Sequence, residues 1–374
     1  MSEVFILGAG FSRAILTEMP LTKDLSAEVL ECYRQADTIP PEIRTMIEED
    51  FEKALTFLAQ DKPWLREPEN LRHKALYLDL THVIRGTLHH KCRDPLVWGT
   101  NRPPLWLEAL ITYWHTHHST VVTLNYDTLI ERVAGATYWN KRTAPIPTGD
   151  LYPVPLTPAQ QRAVPLIAKK ALETFKLFKL HGSINWFYSG RSDFFGEELY
   201  YVPCMGGPDG VFDAAEGHDP ENPHWAQIGD KTALIIPPVL DKSVFFQHES
   251  IRSMWFQAGE AIKSATRIVC MGYSLPSSDL TMAHFLKTSA PPRSVPFEIV
   301  DVVPKLDHFA SVLGATQYDF HQSERDLDCI PWFVVKNCVQ NDKDKFHVIH
   351  MTSWKRRPES SSPDETGTSG EAST

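Results

Sequence analysis

The chain has 374 residues, and 37 Lys+Arg against 47 Asp+Glu leave a net charge of −10, with 42% hydrophobic and 22% charged residues. That length allows two domains, or one α/β domain with a large insertion, and the composition excludes disorder as the default. A negative balance spread along the chain argues against affinity built on neutralising phosphates, so no direct nucleic-acid binding is expected. No stretch approaches the roughly 18 apolar residues that cross a bilayer, so the expectation is a soluble, cytoplasmic protein with no membrane partner.

Glu3 to Leu7 is a short β-rich run stopped by Gly8-Ala9-Gly10, after which Phe11-Ser12-Arg13-Ala14-Ile15 begins a helix. From Leu25 to about His118 the spacing turns helical: Ile43, Ile47, Phe51, Ala54, Leu55 and Leu58 recur at three and four residues, and Leu71, Ala75 and Leu78 repeat the interval. This block, about 25–118, reads as a helical insertion. Thr120-Val121-Val122-Thr123 is the second β-branched run and ends at Asn125-Tyr126-Asp127, with a helix starting at Leu129-Ile130. Thr143 to Pro165 suits an extended loop, followed by a helix to about Phe175 and a strand, Lys176 to Leu180, that leads into His181-Gly182-Ser183.

Residues 190–230 are dense in Gly, Pro and Asp and read as a loose excursion with only Leu199 to Val202 strand-like. Ala233 to Ile236, a helix from about Ser250 to Lys263, and the strand Arg267 to Met271 follow; the last breaks at Gly272-Tyr273-Ser274, and another helix starts near Ser277. Phe297 to Val300 is a further strand ending at Asp301, and Val348 to Met351 suits one more. Residues 356–374 read as a disordered tail. Strands separated by helices predict an α/β fold, a Rossmann-like, doubly wound parallel sheet with a helical insertion, occupying 1–355 as one domain.

Six cysteines are scattered without a Cys-x-x-Cys pair, which fits a reduced chain with neither disulfide framework nor zinc knuckle. His89, His90, His115, His117 and His118 lack spaced carboxylate or cysteine partners and read as solvent-facing or capping residues. No metal site is expected.

The chemistry-bearing motifs all fall at strand ends, where ligands of doubly wound sheets collect. In Gly8-Ala9-Gly10-Phe11-Ser12 the glycines let backbone approach a phosphate and the helix N-terminus offers N–H groups, though a tight strand-to-helix turn needs the same residues. Asn125 can donate and accept without charge, positioning a water or a ribose hydroxyl; Asn125 and Asp127 suit a helix cap equally well. His181 can take a proton near neutral pH, with Gly182 leaving room for a ligand, or the pair can be structural.

Taken together, Gly8-Ala9-Gly10-Phe11-Ser12, Thr123-Leu124-Asn125-Tyr126-Asp127, Leu180-His181-Gly182-Ser183 and Met271-Gly272-Tyr273-Ser274-Leu275 resemble the sirtuin-like family, in family order. The resemblance reaches to about Asp301. It implies NAD bound by a Rossmann-like domain, with Asn125 and His181 as the catalytic pair. The phosphates would lie on Gly8, Ala9, Gly10, Phe11 and Ser12, Asp127 would order the site, Gly272 and Ser274 would line the cofactor, and Asp301 would accept from the adenosine ribose. The two Cys-x-x-Cys pairs of the family's protein deacylases are absent, since only Cys204 lies between His181 and Gly272, and their Gly-Ile-Pro-x-Phe-Arg segment is reduced to Met19-Pro20-Leu21-Thr22. Gly272 to Pro276 with Asp279 looks closer to the divergent sirtuin-like effectors of bacterial antiphage defence, which hydrolyse NAD. That branch implies an NAD glycohydrolase giving nicotinamide and ADP-ribose, without zinc, with a homo-oligomer or a partner-protein assembly as its expected setting. An NAD-dependent protein deacylase and a non-catalytic NAD or ADP-ribose sensor are the alternatives.

Overall fold

A computed structural model describes residues 3–34, 39–93, 103–135, 145–158, 171–188, 198–204, 231–236, 248–276, 279–303, 306–313, 318–321 and 329–339. Most of the stretch 190–230, Trp225, the Pro237-Pro238 segment with Lys242, the strand expected at 348–351 and the tail 356–374 lie outside these residues.

The central sheet is built from β1 (Glu3–Leu7), β2 (Thr120–Thr123), β4 (Lys176–Lys179), β8 (Arg267–Met271), β9 (Phe297–Val300) and β10 (Tyr318–His321), every pairing parallel, in the order β10-β9-β8-β1-β2-β4. Counted along the chain, these six strands take the dinucleotide-binding order 3-2-1-4-5-6 read from the opposite edge, which puts the topological switch between β1 and β8. Val4 to Leu7, Val121, Val122, and Ile268 to Met271 are almost completely buried, so these strands read as continuous apolar runs instead of alternating ones.

A second, smaller sheet has the order β3-β6-β5-β7, from β3 (Thr157–Pro158), β5 (Gly182–Tyr188), β6 (Tyr200–Tyr201) and β7 (Thr232–Ile235), with β5 antiparallel to both neighbours. His181-Gly182-Ser183 reads in sequence as a strand end, yet Gly182 starts the next strand, β5, at once. The sequence also suggests a helix up to Phe175, but 171–175 are non-helical.

Helices α1 (Ala9–Ile15), α2 (Thr22–Arg34), α3 (Pro41–Glu49), α4 (Phe51–Ala59), α5 (Glu67–Arg93) and α6 (Leu105–His117) follow β1. Helices α2 to α5 share their own apolar core, through Val29, Ile43, Ile47, Phe51, Leu55, Leu58, Leu80 and Ile84. By contrast, α6 packs Trp106, Leu110 and Trp114 into the core of the central sheet, beside Phe5 and Phe11. His118 closes α6 in the left-handed conformation (φ 49°), a capping role, and His90 is exposed; His89 instead lies buried on the inner side of α5.

Helix α7 (Leu129–Gly135) follows the Asn125 segment, and α8 (Thr148–Leu151) is a single turn. Helix α9 (Glu249–Lys263) precedes β8, and α10 (Leu280–Thr288) starts three residues after the expected Ser277 because the Asp279 carboxylate caps it, accepting from the Met282 N–H at 3.2 Å. Helices α11 (Leu306–Leu313) and α12 (Cys329–Val334), the latter running on as a π-helical turn, complete the described chain. No helix among the described residues is long and apolar enough to cross a membrane.

Candidate nucleotide site at the carboxyl edge of the central sheet

Register alone assembles the site. Leu7 pairs with Thr123 and with Met271, Thr123 with Lys179, and Met271 with Val300. The ladder runs one residue further through Gly8 N to Met271 O (3.1 Å), Leu124 N to Leu7 O (3.2 Å), Leu180 N to Thr123 O (3.0 Å) and Gly272 N to Val300 O (3.0 Å). Gly8, Leu124, Leu180, Gly272 and Asp301 therefore stand level. One residue on, Asn125 and His181 follow the ends of the paired strands β2 and β4.

Asn125 reaches across to β1. Its Nδ2 donates to the Gly8 carbonyl at 2.8 Å and to Ser12 Oγ at 2.7 Å, while Ser12 Oγ donates to Asp127 Oδ2 at 2.5 Å. This chain fixes which way the carboxamide faces. Turned over, its oxygen would meet the Gly8 carbonyl oxygen, acceptor against acceptor. Oδ1 is thus the atom that the half-buried Asn125 can offer to a ligand, and it is an acceptor only. Asp127 Oδ1 also accepts from the Leu129 N–H at 3.1 Å, so this buried carboxylate both caps α7 and anchors Ser12.

The glycine turn is packed against the next strand end. The Gly10 N–H donates to Gly272 O at 2.9 Å, and the Phe11 N–H turns back to Gly8 O at 2.9 Å. A Cβ on Gly272, whose φ is +60°, would lie 2.3 Å from Phe11 N, and one on Gly8 would lie 2.6 Å from Gly272 O. The glycines therefore first let two turns touch at the switch point. Phe11 itself is 1% exposed and stacks edge-on to Trp106, so only its backbone faces this region. Ala9, Gly10, Ser274 and Asp301 remain partly exposed around the turn, and Asp301 Oδ1 accepts from the Val302 N–H at 2.7 Å. Leu275 is held left-handed (φ 46°), local strain of the kind that concentrates at functional sites.

His181 lies 7% exposed, its ring 6.3 Å from that of Tyr126 and 6.2 Å from that of Trp255. It is the last residue before the second sheet: its carbonyl accepts from the Ile236 N–H at 2.8 Å, and Trp255 Nε1 donates to Leu180 O at 3.0 Å. Gly182 leaves no room for a ligand, contrary to the sequence reading. Its φ is +79° and a Cβ would sit 2.2 Å from Leu234 O, so the glycine serves the seam between β5 and β7. Tyr126 OH donates to Ile236 O at 2.7 Å, and burial pushes its phenol up, so it stays a neutral donor.

Sequence reasoning missed a buried polar cluster just beneath this edge. Lys179 Nζ donates to the Asp127 carbonyl and pairs with Glu131 Oε1 at 2.8 Å, both side chains 1% exposed. Tyr152 OH donates to the same Glu131 oxygen at 3.0 Å, and Asn185 Nδ2 donates to Tyr152 OH at 3.2 Å. Cys204 sits beside Asn185, its thiol pushed up to about 12 by burial and by Glu131, which makes it a neutral neighbour. Among the described residues no three of His, Cys, Asp and Glu gather so as to hold a metal ion.

No family profile and no curated protein matches the chain. Among solved structures, Sir2 in complex with the inhibitor EX-527, 2'-O-acetyl-ADP-ribose and a deacetylated p53 peptide aligns over 90% of this chain and 93% of its own, at 13% identity and a TM-score of 0.36. A mutant Sir2 homologue in complex with ADP-ribose aligns over 92% and 95%, at 11% identity and a TM-score of 0.38. Sir2 with a p53 peptide and NAD+ aligns over 90% and 92%, at 13% identity and a TM-score of 0.33.

Proposed function

We propose that this chain is an NAD glycohydrolase that releases nicotinamide and leaves ADP-ribose. The observation that carries the reading is the row of strand ends in which Asn125, locked with its carbonyl oxygen outward, stands beside His181 and against the glycine turn at the switch point. Ala9, Gly10, Gly272 and Ser274, the partly exposed residues of the two turns, then line the pyrophosphate with the buried Gly8 behind them, and Asp301 takes the adenosine ribose hydroxyls.

The chemistry asks little acid catalysis of the protein. The nicotinamide of NAD is a cationic leaving group, so the bond between its ring nitrogen and the ribose C1′ breaks with the electron pair passing to the ring, and no carboxylic acid need protonate it, unlike an ordinary glycoside. The site must hold the ribose, bear an oxocarbenium-like carbon, and deliver water to it. Asn125 Oδ1 accepts a hydrogen bond from that water or from a ribose hydroxyl. As the water oxygen bonds to C1′, its proton passes to the His181 imidazole and then to solvent, a contribution on the order of 10²–10⁴ in rate. The sequence resemblance of Gly272 to Pro276 with Asp279 supports a role as a defence effector that depletes NAD.

The test is to incubate the purified protein with NAD and measure nicotinamide, in the wild type and in Asn125→Ala and His181→Ala. The expected result is turnover in the wild type and its loss in both variants with the thermal melt retained. Wild-type turnover by either variant overturns that residue's assignment. Release only in the presence of an acylated peptide selects a deacylase, and bound, unchanged NAD selects a sensor.

A further inference from the structure

We infer that Lys179 is a positioning residue that sets the Asn125–Asp127 turn against His181, a reading that rests on the proposed hydrolase. Lys179 belongs to the last pair of the β2–β4 ladder, two residues before His181, yet its amine leaves its own strand to donate to the carbonyl of Asp127, two residues after Asn125. One ammonium thus ties together the two strand ends that carry the catalytic pair.

Its counter-ion fixes where that ammonium can sit. Glu131 Oε1 pairs with it at 2.8 Å and accepts from Tyr152 OH at 3.0 Å, and Tyr152 is held in turn by Asn185 on β5, the strand that His181 leads into. The path from Asp127 through Lys179, Glu131 and Tyr152 to Asn185 therefore crosses from the central sheet to the second sheet and brackets His181 on both sides in sequence. A pair of charges 1% exposed is a costly way to add stability, because apolar residues of similar volume often serve as well. What the pair supplies that they cannot is a directed donor on one particular carbonyl. Asp127 in turn anchors Ser12, which receives the Asn125 carboxamide, so a shift at Asp127 is passed to Asn125 through two hydrogen bonds.

The experiment compares Glu131→Gln with the double variant Lys179→Met/Glu131→Gln. The double variant avoids a stranded buried charge and keeps an acceptor for Tyr152. Steady-state nicotinamide release and the NMR signals of the Asn125 carboxamide are read in each. The double variant is expected to lose about 10- to 100-fold in kcat, as misplacements on the ångström scale do, with KM for NAD within about threefold. Its Asn125 carboxamide signals move, and Glu131→Gln, which keeps the amine but weakens its anchor, falls between it and the wild type. Unmoved Asn125 signals together with wild-type kcat in a folded double variant overturn the inference. If the double variant does not fold, Glu131→Gln with wild-type kcat and signals overturns it alone. A wild type that releases no nicotinamide counts against the hydrolase reading, and the NMR comparison then decides the positioning role separately.

Discussion

The carboxyl edge of the central sheet and the helical unit α2–α5 both bury polar groups, but they satisfy them differently. In the helical unit Lys62 donates to the carbonyls of Phe57 and Gln60, and Arg85 Nε donates across to Ile184 O on β5 at 3.1 Å, bonds that end on backbone. At the sheet edge Asn125 and Lys179 also reach backbone carbonyls, and in addition side chains bond in series, Asn125 to Ser12 to Asp127, and Lys179 to Glu131 to Tyr152. A bond to backbone closes off a polar group, whereas a run of side-chain bonds fixes orientations along its length.

The contrast is sharpest where it can be broken. Gly272→Ala puts a Cβ 2.3 Å from Phe11 N at a φ of +60°, so two strand-end turns must part. We expect a loss of about 4 kcal/mol or more in a thermal or urea melt, with turnover lost; a variant that melts like the wild type would show that the turns do not need this contact. Asn125→Asp places a carboxylate oxygen where Nδ2 now meets Gly8 O at 2.8 Å and Ser12 Oγ at 2.7 Å. The expected fall in kcat is about 10²–10³-fold, partly restored as pH is lowered and the new acid regains a proton to donate. A pH-independent loss would mean that the carboxamide's orientation is not what matters.

In the helical unit the expected effects fall on stability alone. Leu55 is completely buried in its core, and Leu55→Ala should cost about 2–5 kcal/mol in a chemical melt while leaving kcat of the folded fraction unchanged. Asp50, the N-cap of α4, accepts from the Lys53 N–H at 3.1 Å, and hydrogen bonding to the Lys53 side chain holds its carboxyl below the usual range. Because the folded value is the lower one, this contribution is complete above the ordinary carboxylate range and fades as pH falls through the folded value. Asp50→Ala should cost about 1 kcal/mol at pH 7 and reduce the acid-range slope of stability; an unchanged slope would remove Asp50 as its source.

Much of the sheet was legible because parallel strands are buried on both faces: Arg267–Met271 and Phe297–Val300 stand where their apolar runs predicted. The meeting of the glycine turn with Asn125 followed from the rule that such motifs gather at carboxyl ends. In the second sheet β6 and β7 fall within the strand-like runs Leu199–Val202 and Ala233–Ile236, give or take a residue, whereas β5 was not legible because it begins one residue after His181. The Lys179–Glu131 pair had no signal either, since 48 residues separate two ordinary charged residues that only the β2–β4 register brings together. Nor did the turn carry the whole reason for its glycines, which lies in Gly272, more than 260 residues away in sequence.

The helical core does not end within the helices. It extends onto Leu129 and Ile184, which follow Asn125 and His181 closely in the chain, and onto Ile235, which pairs with Gly182, with Tyr126 packed against it. The helical unit and the two segments that carry Asn125 and His181 therefore share one packed layer, with Arg85 of α5 bonded directly to β5.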